Sequence, residues 1–298
     1  MAAPWDRGKW VRGVAHWRDG KTAFISVAFT WRLPEARKIA EYYRAVGCAT
    51  VRCGGPGTFT RKAYVSEFAD VGGVIPDALR RHNPNATRAS YGCPVGCWFC
   101  IVPKMDGKAF SFIPDFPVRP VLCDDNLSAL PAKYQDHIVA RYIAAGVPLL
   151  DANSGFEPAT FDEEVFTRWS PILKGPWRFG YDEATEGEAV GRVFKMLEDL
   201  SPRKKQVYTM IGHEPFDICM DRIRKVIALG GEPYAQPFLK LNALEKKPAI
   251  RHDWTMQKLQ DVSRWVNRHL WRNVPFEDYI ASTRSPRQKD NVPLFCEA

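Results

Sequence analysis

The sequence predicts an α/β fold whose main part is an open, partial barrel of six strand–helix units. From residue 87 onward, short β-branched or aromatic segments alternate with amphipathic segments, as in parallel sheets with helical crossovers. Six such units are two fewer than a closed eight-stranded barrel contains. A small N-terminal β-α-β unit and a C-terminal helical extension complete three predicted domains, 1–84, 85–245 and 246–298.

The predicted elements begin with a small N-terminal unit. A β-branched and aromatic strand at 22–30 precedes a helix opened by Pro34, and a short strand follows at 49–52. The first barrel crossover, 101–117, contains three prolines and few helix signals, so its helix is the least supported of the crossover helices. The barrel strands are predicted at Thr87–Tyr91, Val118–Cys123, Pro148–Ala152, Trp177–Tyr181, Gln206–Ile211 and Glu232–Phe238. Helices are predicted at 131–145, 161–173, 186–200, 216–229 and 254–272.

Composition and charge narrow the function classes. The 298 residues are 45% hydrophobic and 26% charged, a globular balance, and no uncharged apolar run approaches the roughly 18 residues of a membrane span. The start of the chain has no apolar signal-peptide core, so we expect a cytoplasmic protein without a membrane partner. The net charge of +8 fits a nucleic-acid or other anionic partner, and equally well a generally basic enzyme.

Three of the eight cysteines are packed into eight residues. Cys93, Cys97 and Cys100 form a C-x3-C-x2-C array in a glycine-containing loop, whereas the other five are scattered. Thiolates are soft ligands suited to iron–sulfur clusters and zinc, so the array indicates a metal site without identifying the metal. A structural zinc site needs a fourth ligand, for which His82 and Cys123 are candidates, although neither forms a second ligand pair.

The array resembles the signature of radical S-adenosylmethionine (radical SAM) enzymes, C-x3-C-x-Φ-C, with Phe99 at the aromatic position. The resemblance covers roughly residues 85–245. It implies a partial (βα)6 TIM-type barrel, a 4Fe–4S cluster on the three cysteines, and S-adenosylmethionine on the fourth iron. The implied reaction is reductive cleavage of S-adenosylmethionine to a 5′-deoxyadenosyl radical that abstracts a substrate hydrogen. A reductant such as flavodoxin or ferredoxin is implied as the electron donor.

Polar residues follow four successive predicted strands, at the edge where parallel barrels carry their active sites. The segment Asp124 to Asn126 resembles an acidic-Asn segment of radical SAM proteins, and the segment ending at Gly212 resembles one near the adenine. The Gly-Gly-Glu motif usual after strand two is missing there. Each polar cluster would also fit a turn or a helix cap. The residues predicted to bind the cofactor are Phe99, Asp124, Asp125, Asn126, Asn153, Gly155, Glu157, Arg178, Glu183 and Gly212, and no catalytic residue is assigned.

Two related functions are not expected. The turn Cys53-Gly54-Gly55-Pro56-Gly57 resembles the glycine turn of cobalamin-binding domains fused to radical SAM barrels. The cobalt-ligand motif of those domains is absent, so cobalamin is not expected. No second three-cysteine array is present, which favours a single-cluster member similar to small Fe–S oxidoreductases.

The substrate is not identified by the sequence. The basic charge and the aromatic residues Trp254, Trp265 and Trp271 suggest RNA or a nucleobase, while the alternative for these tryptophans is packing against the barrel. A non-enzymatic alternative for the whole chain is a zinc- or cluster-stabilised nucleic-acid-binding protein that uses helix 254–272.

Overall fold

A computed structural model describes residues 10–11, 13–72, 75 and 77–279. The chain is mixed α/β and divides into two compact units. Of the described residues, those up to 126 together with 130–154 and 239–247 form unit 1, and 127–129, 155–238 and 248–279 form unit 2. The predicted tail of the third domain, beyond residue 279, lies outside the described residues. Among the sheets formed by the described residues, none closes into a barrel.

Unit 1 begins with a four-stranded sheet in the order β1-β2-β3-β4. Strand β2 (Thr22–Val27) pairs antiparallel with β1 (Val14–Asp19) and parallel with β3 (Thr50–Gly54), which pairs with β4 (Asp70–Val71). Helix α1 (Leu33–Ala45) forms the crossover, so the predicted β-α-β unit is confirmed. Buried residues of β2, β3 and α1 form its core, among them Ile25, Val51, Leu33 and Ala40.

The second part of unit 1 is a short parallel sheet that carries the cysteine array. Strands β5 (Ala86–Thr87), β8 (Val121–Leu122) and β9 (Asp151–Ala152) pair in that order. A hairpin of β6 (Ser90–Tyr91) and β7 (Ser111–Phe112) extends from β5 and encloses residues 92–110, which we call the cysteine loop. The helices of this unit besides α1 are α2 (Lys62–Ser66), α3 (Ala78–His82), α4 (Val102–Met105) and α5 (Ala132–Ala145).

Unit 2 contains a second parallel sheet, β10-β11-β12, in chain order. Its strands are Trp177–Gly180, Lys205–Ile211 and Glu232–Pro237. Four helices belong to this unit among the described residues: α6 (Glu163–Trp169), α7 (Gly187–Met196), α8 (Phe216–Ala228) and α9 (Met256–Asn267). The apolar faces of α8 and α9 pack together with Ile211 and Ala235 from the sheet.

The regular alternation of strands and helices was predictable, and most elements lie where the sequence places them. Helix α9 is shorter than the predicted 254–272, and the crossover 101–117 contains the four-residue α4 and strand β7. Trp254 and Trp265 are buried, so the packing interpretation is confirmed for these two tryptophans. No described helix is both long enough and apolar enough to cross a membrane.

Candidate metal centre

The cysteine loop holds three half-buried thiols that form no disulfide. Its ends are joined by a hydrogen bond from the Cys93 backbone N–H to the Gly107 carbonyl, at 3.1 Å. Gly92 has φ +96°, and a Cβ there would lie 2.3 Å from the Ala109 carbonyl oxygen, so only glycine allows the two arms of the loop to approach so closely. The Cys100 backbone N–H donates to the Cys97 carbonyl at 3.1 Å, which turns the chain between the last two thiols.

Residues after β8 form hydrogen bonds with the segment that precedes the cysteine loop. The β5–β8 register pairs Ala86 with Val121, and continuing it places residue 124 beside residue 89. There the buried Asp124 carboxylate accepts hydrogen bonds from the Ala89 backbone N–H at 2.7 Å and the Ser90 hydroxyl at 2.5 Å. Because this carboxylate is fully buried, both bonds help offset the cost of its desolvation.

Asn126 reaches the first thiol directly. Its side-chain amide donates a hydrogen bond to Cys93 Sγ at 3.4 Å, and Asn126 is itself buried. Hydrogen bonds of this kind orient a metal ligand and stabilise negative charge on its sulfur.

Asp125 forms a second set of contacts with the cysteine loop and with Arg88. Its Oδ2 accepts the Gly92 backbone N–H at 2.8 Å, and its Oδ1 pairs with the Arg88 guanidinium. Arg88 also lies 3.4 Å from Asp106, beyond the last cysteine, and its guanidinium carbon is 4.2 Å from the Tyr91 ring centroid. One arginine therefore connects both arms of the cysteine loop to the end of β8.

Burial governs the acid–base properties of this centre. It raises the pKa of the Asp124 carboxyl to about 6, although the hydrogen bonds from Ser90 and Ala89 act in the opposite direction. Burial also raises the pKa of the Cys100 thiol. A bound metal would reverse this effect, because its positive charge favours the thiolate.

A trio of candidate ligand atoms within 4.8 Å of one another lies outside the cysteine loop, at His213, Glu214 and Cys219. A single zinc ion and a cubane cluster would use the three thiols differently. One zinc ion brings its thiolates about 3.8 Å apart at Zn–S bonds of about 2.3 Å, whereas in a cubane cluster each thiolate binds a different iron.

His82, a candidate fourth zinc ligand, is already engaged. Its Nδ1 lies 2.9 Å from the Val11 carbonyl oxygen and its Nε2 lies 3.0 Å from Ser26 Oγ. Binding a metal through either nitrogen would break one of these contacts. His82 therefore has a structural role, because it connects α3 to the N-terminal sheet through Ser26 of β2.

The other predicted cofactor-binding residues are distributed over both units. In unit 1, Phe99 is half-buried in the cysteine loop and Asn153 is exposed just after β9. In unit 2, Gly155 and Glu157 lie between β9 and α6 in the chain, Arg178 lies on β10, Glu183 follows β10, and Gly212 follows β11. The structure brings Asp124, Asp125 and Asn126 to the cysteine loop, while contact of any of these residues with S-adenosylmethionine remains a prediction.

Two of the predicted residues are required for packing. A Cβ on Gly155, which has φ +80°, would lie 2.6 Å from the Arg178 carbonyl oxygen. Gly212, with φ +88°, leaves room for Leu259 of α9, whose Cδ2 would be 3.0 Å from an added Cβ.

Glu157 is half-buried, and burial raises the pKa of its carboxyl.

Sequence reasoning missed a buried polar group at the carboxyl ends of β10 and β11. Arg222 of α8 donates to the Tyr181 carbonyl at 2.7 Å, the Met210 carbonyl at 3.0 Å and Glu214 Oε2 at 2.8 Å. The sequence places Arg222 on the apolar face of α8, three residues after the buried Cys219. This position was the available sign that the arginine is buried. The same guanidinium lies 3.3 Å from Cys219 Sγ, so a cation already occupies the trio that would otherwise suit a metal ion.

Asp182, just after β10, is not among the residues predicted to bind the cofactor. Its Oδ1 accepts the Met210 backbone N–H at 2.9 Å. Burial, with a further contribution from the nearby Glu186 carboxylate, raises the pKa of Asp182 to about 7. The sequence marks it only as one of two acidic residues after a strand.

No family model matches the chain, and no curated protein is significantly similar to it in sequence. The comparisons therefore add no family assignment to the geometry.

Proposed function

We propose that the protein is a radical SAM enzyme whose 4Fe–4S cluster is held by Cys93, Cys97 and Cys100. The observation that carries the proposal is the cysteine loop. Its three thiols form no disulfide, and Asp124, Asp125 and Asn126 hold the loop and the segment before it through hydrogen bonds. When bound, such a cluster supplies the electron that cleaves S-adenosylmethionine to methionine and a 5′-deoxyadenosyl radical.

The residues of this chain would hold and shield the cluster. The short links from Cys93 to Gly107 and from Asp125 to Gly92 fix the loop backbone before any metal binds, which reduces the entropy lost on binding. Asn126 donates to the Cys93 sulfur, and the Arg88 guanidinium places positive charge beside the loop. Both features favour an anionic cluster over free thiols.

The finer fold proposal is a partial (βα)6 barrel. Each of the two three-stranded sheets is parallel and in chain order, as are the strands of such a barrel. Polar residues follow the strands in both sheets. This supports the proposal that the cofactor binds at the carboxyl ends of these strands. The abstracted hydrogen and its substrate stay open within this proposal.

The test uses anaerobically purified full-length protein, reconstituted with iron and sulfide, reduced with dithionite and supplied with S-adenosylmethionine. We expect about four irons per chain and release of 5′-deoxyadenosine. Cys97→Ala should lose both while remaining folded, whereas Cys48→Ala, which removes a buried thiol of the N-terminal core, should keep both. Stoichiometric zinc without iron, or full iron content in Cys97→Ala, would overturn the proposal.

A further inference from the structure

A stacked aromatic pair, the exposed Phe29 and the half-buried Trp31, follows β2 in unit 1. The rings of Phe29 and Trp31 are stacked, with centroids 4.6 Å apart and planes within 8°. Phe29 is 46% exposed, an unusual exposure for a phenylalanine already stacked on a second ring. By contrast, the stacked pair Trp17 and Phe24 has a guanidinium near each ring, from Arg81 and Arg52.

Three basic segments, one of which contains this pair, are joined by hydrogen bonds. The hydroxyls of Thr30 and Thr60 both donate to the Leu241 carbonyl, at 2.8 and 3.0 Å, and Arg61 Nε donates to the Asn242 carbonyl at 2.8 Å. These bonds join segments 29–32, 56–62 and 239–247, which carry six cationic residues and one carboxylate, Glu245. The cationic residues are Arg32, Arg61, Lys62, Lys240, Lys246 and Lys247. These segments therefore carry a net positive charge, and one of their cations, Arg32, also pairs with Glu35 of α1 at 3.2 Å.

We propose that these three segments, the aromatic–basic surface, bind single-stranded RNA. A base would stack on the open face of Phe29, and the flanking phosphates would contact Arg61, Lys62 and Lys240. Stacking on aromatic side chains together with phosphate contacts is how proteins hold unpaired nucleotides. A duplex keeps its bases stacked internally, and an acidic polypeptide would use the cations but not the ring.

RNA binding at this surface would make RNA the substrate class of the proposed radical SAM enzyme. The reaction on the bound RNA rests on that proposed function, whereas RNA binding itself does not depend on the cluster. The two can therefore fail separately.

The first experiment measures binding of a fluorescein-labelled single-stranded RNA of about 12 nucleotides to the reconstituted full-length protein by anisotropy. Phe29→Ala should weaken binding by about 10-fold, the loss typical of one base–aromatic stack, while Phe29→Tyr should retain it. Tyr42→Ala is the matched control, because Tyr42 is an exposed aromatic residue of α1 outside this surface. Thermal unfolding of each variant shows whether folding is preserved.

The second experiment tests the charges. Lys62→Gln should reduce the slope of log affinity against log salt by about 0.7, the value for one phosphate contact to a single strand, and Lys38→Gln on α1 should leave it unchanged. Equal affinity for duplex RNA, equal competition by polyglutamate, or equal losses in Phe29→Ala and Tyr42→Ala would overturn the inference. RNA binding without S-adenosylmethionine cleavage would support this surface and count against the proposed enzyme, and cleavage without RNA binding would do the reverse.

Discussion

At the scale of single residues, each of three consecutive side chains after β8 has a separate partner near the cysteine array. Asp124 fixes the approach to the loop, Asp125 fixes its first turn, and Asn126 contacts a thiol. The sequence indicated that these residues are functional because they follow a strand. It could not show that their hydrogen bonds are made within the protein, because that depends on the β5–β8 register.

Asn126→Leu should lower the reduction potential of the reconstituted cluster. The amide hydrogen bond to Cys93 Sγ stabilises the more electron-rich, reduced state, and leucine removes that donor. We expect a more negative midpoint in an EPR-monitored redox titration and cleavage of S-adenosylmethionine about 10-fold slower. Asn273→Leu, an exposed asparagine of unit 2, is the control. An unchanged midpoint at full iron content would refute the role of this amide.

Asp182→Asn should make stability less dependent on pH. The folded pKa of Asp182, about 7, is raised above the unfolded value, so its favourable contribution is fully present below about pH 4 and is lost as the pH rises through 7. The variant should therefore gain stability relative to the parent between pH 5 and pH 8, by about 1 kcal/mol or more. Urea unfolding at both pH values measures this difference.

The exposed carboxylate Asp199 provides the control for that experiment, as Asp199→Asn. We expect the difference in stability between pH 5 and pH 8 to change less in this variant than in Asp182→Asn. A parallel pH profile for Asp182→Asn and the parent would show that Asp182 is not protonated in the folded protein.

At the scale of elements, the cysteine loop depends on a close approach of its two arms. Gly92→Ala combines an unfavourable positive φ with a Cβ 2.3 Å from the Ala109 carbonyl oxygen. Gly107→Ala, in the same loop, has a similar φ of +85° but no atom within 4 Å of its Cβ. We expect Gly92→Ala to lose most of its iron on desalting, while Gly107→Ala retains it and loses only about 1–2 kcal/mol of stability. Equal iron retention would show that the approach of the arms is not required.

Arg222 connects helix α8 to the carboxyl ends of β10 and β11. Arg222→Met should lower the free energy of unfolding by about 2–3 kcal/mol, because two buried carbonyls and Glu214 lose their donor. Glu214 is a quarter exposed and can be rehydrated, so the loss is smaller than for a fully buried pair. Arg224→Met on the exposed face should cost under about 1 kcal/mol. Chemical denaturation compares the two, and equal losses would contradict the assignment.

At the scale of the whole molecule, periodicity predicted the β-α-β unit and the parallel strands well, since their apolar segments are continuous or regularly spaced. Strand β1 was missed because its residues, Val14–Asp19, are half polar and it is stabilised mainly by pairing with β2. The candidate metal ligands were visible because the three cysteines lie within eight residues of the chain. Arg88 and Arg222 were not, because their partners are distant in sequence and are assembled only by the fold.

The stability of the whole chain should depend on the metal. A ligand that binds only the folded state raises the unfolding temperature, and the cysteine loop connects β6 to β7 within unit 1. Reconstitution with iron and sulfide should therefore raise the midpoint of anaerobic thermal unfolding by about 5 °C or more, and Cys97→Ala should show no rise. Zinc added to the metal-free protein separates the alternatives: a larger rise with zinc than with iron and sulfide would indicate a structural zinc site, because the state that binds more tightly is stabilised more.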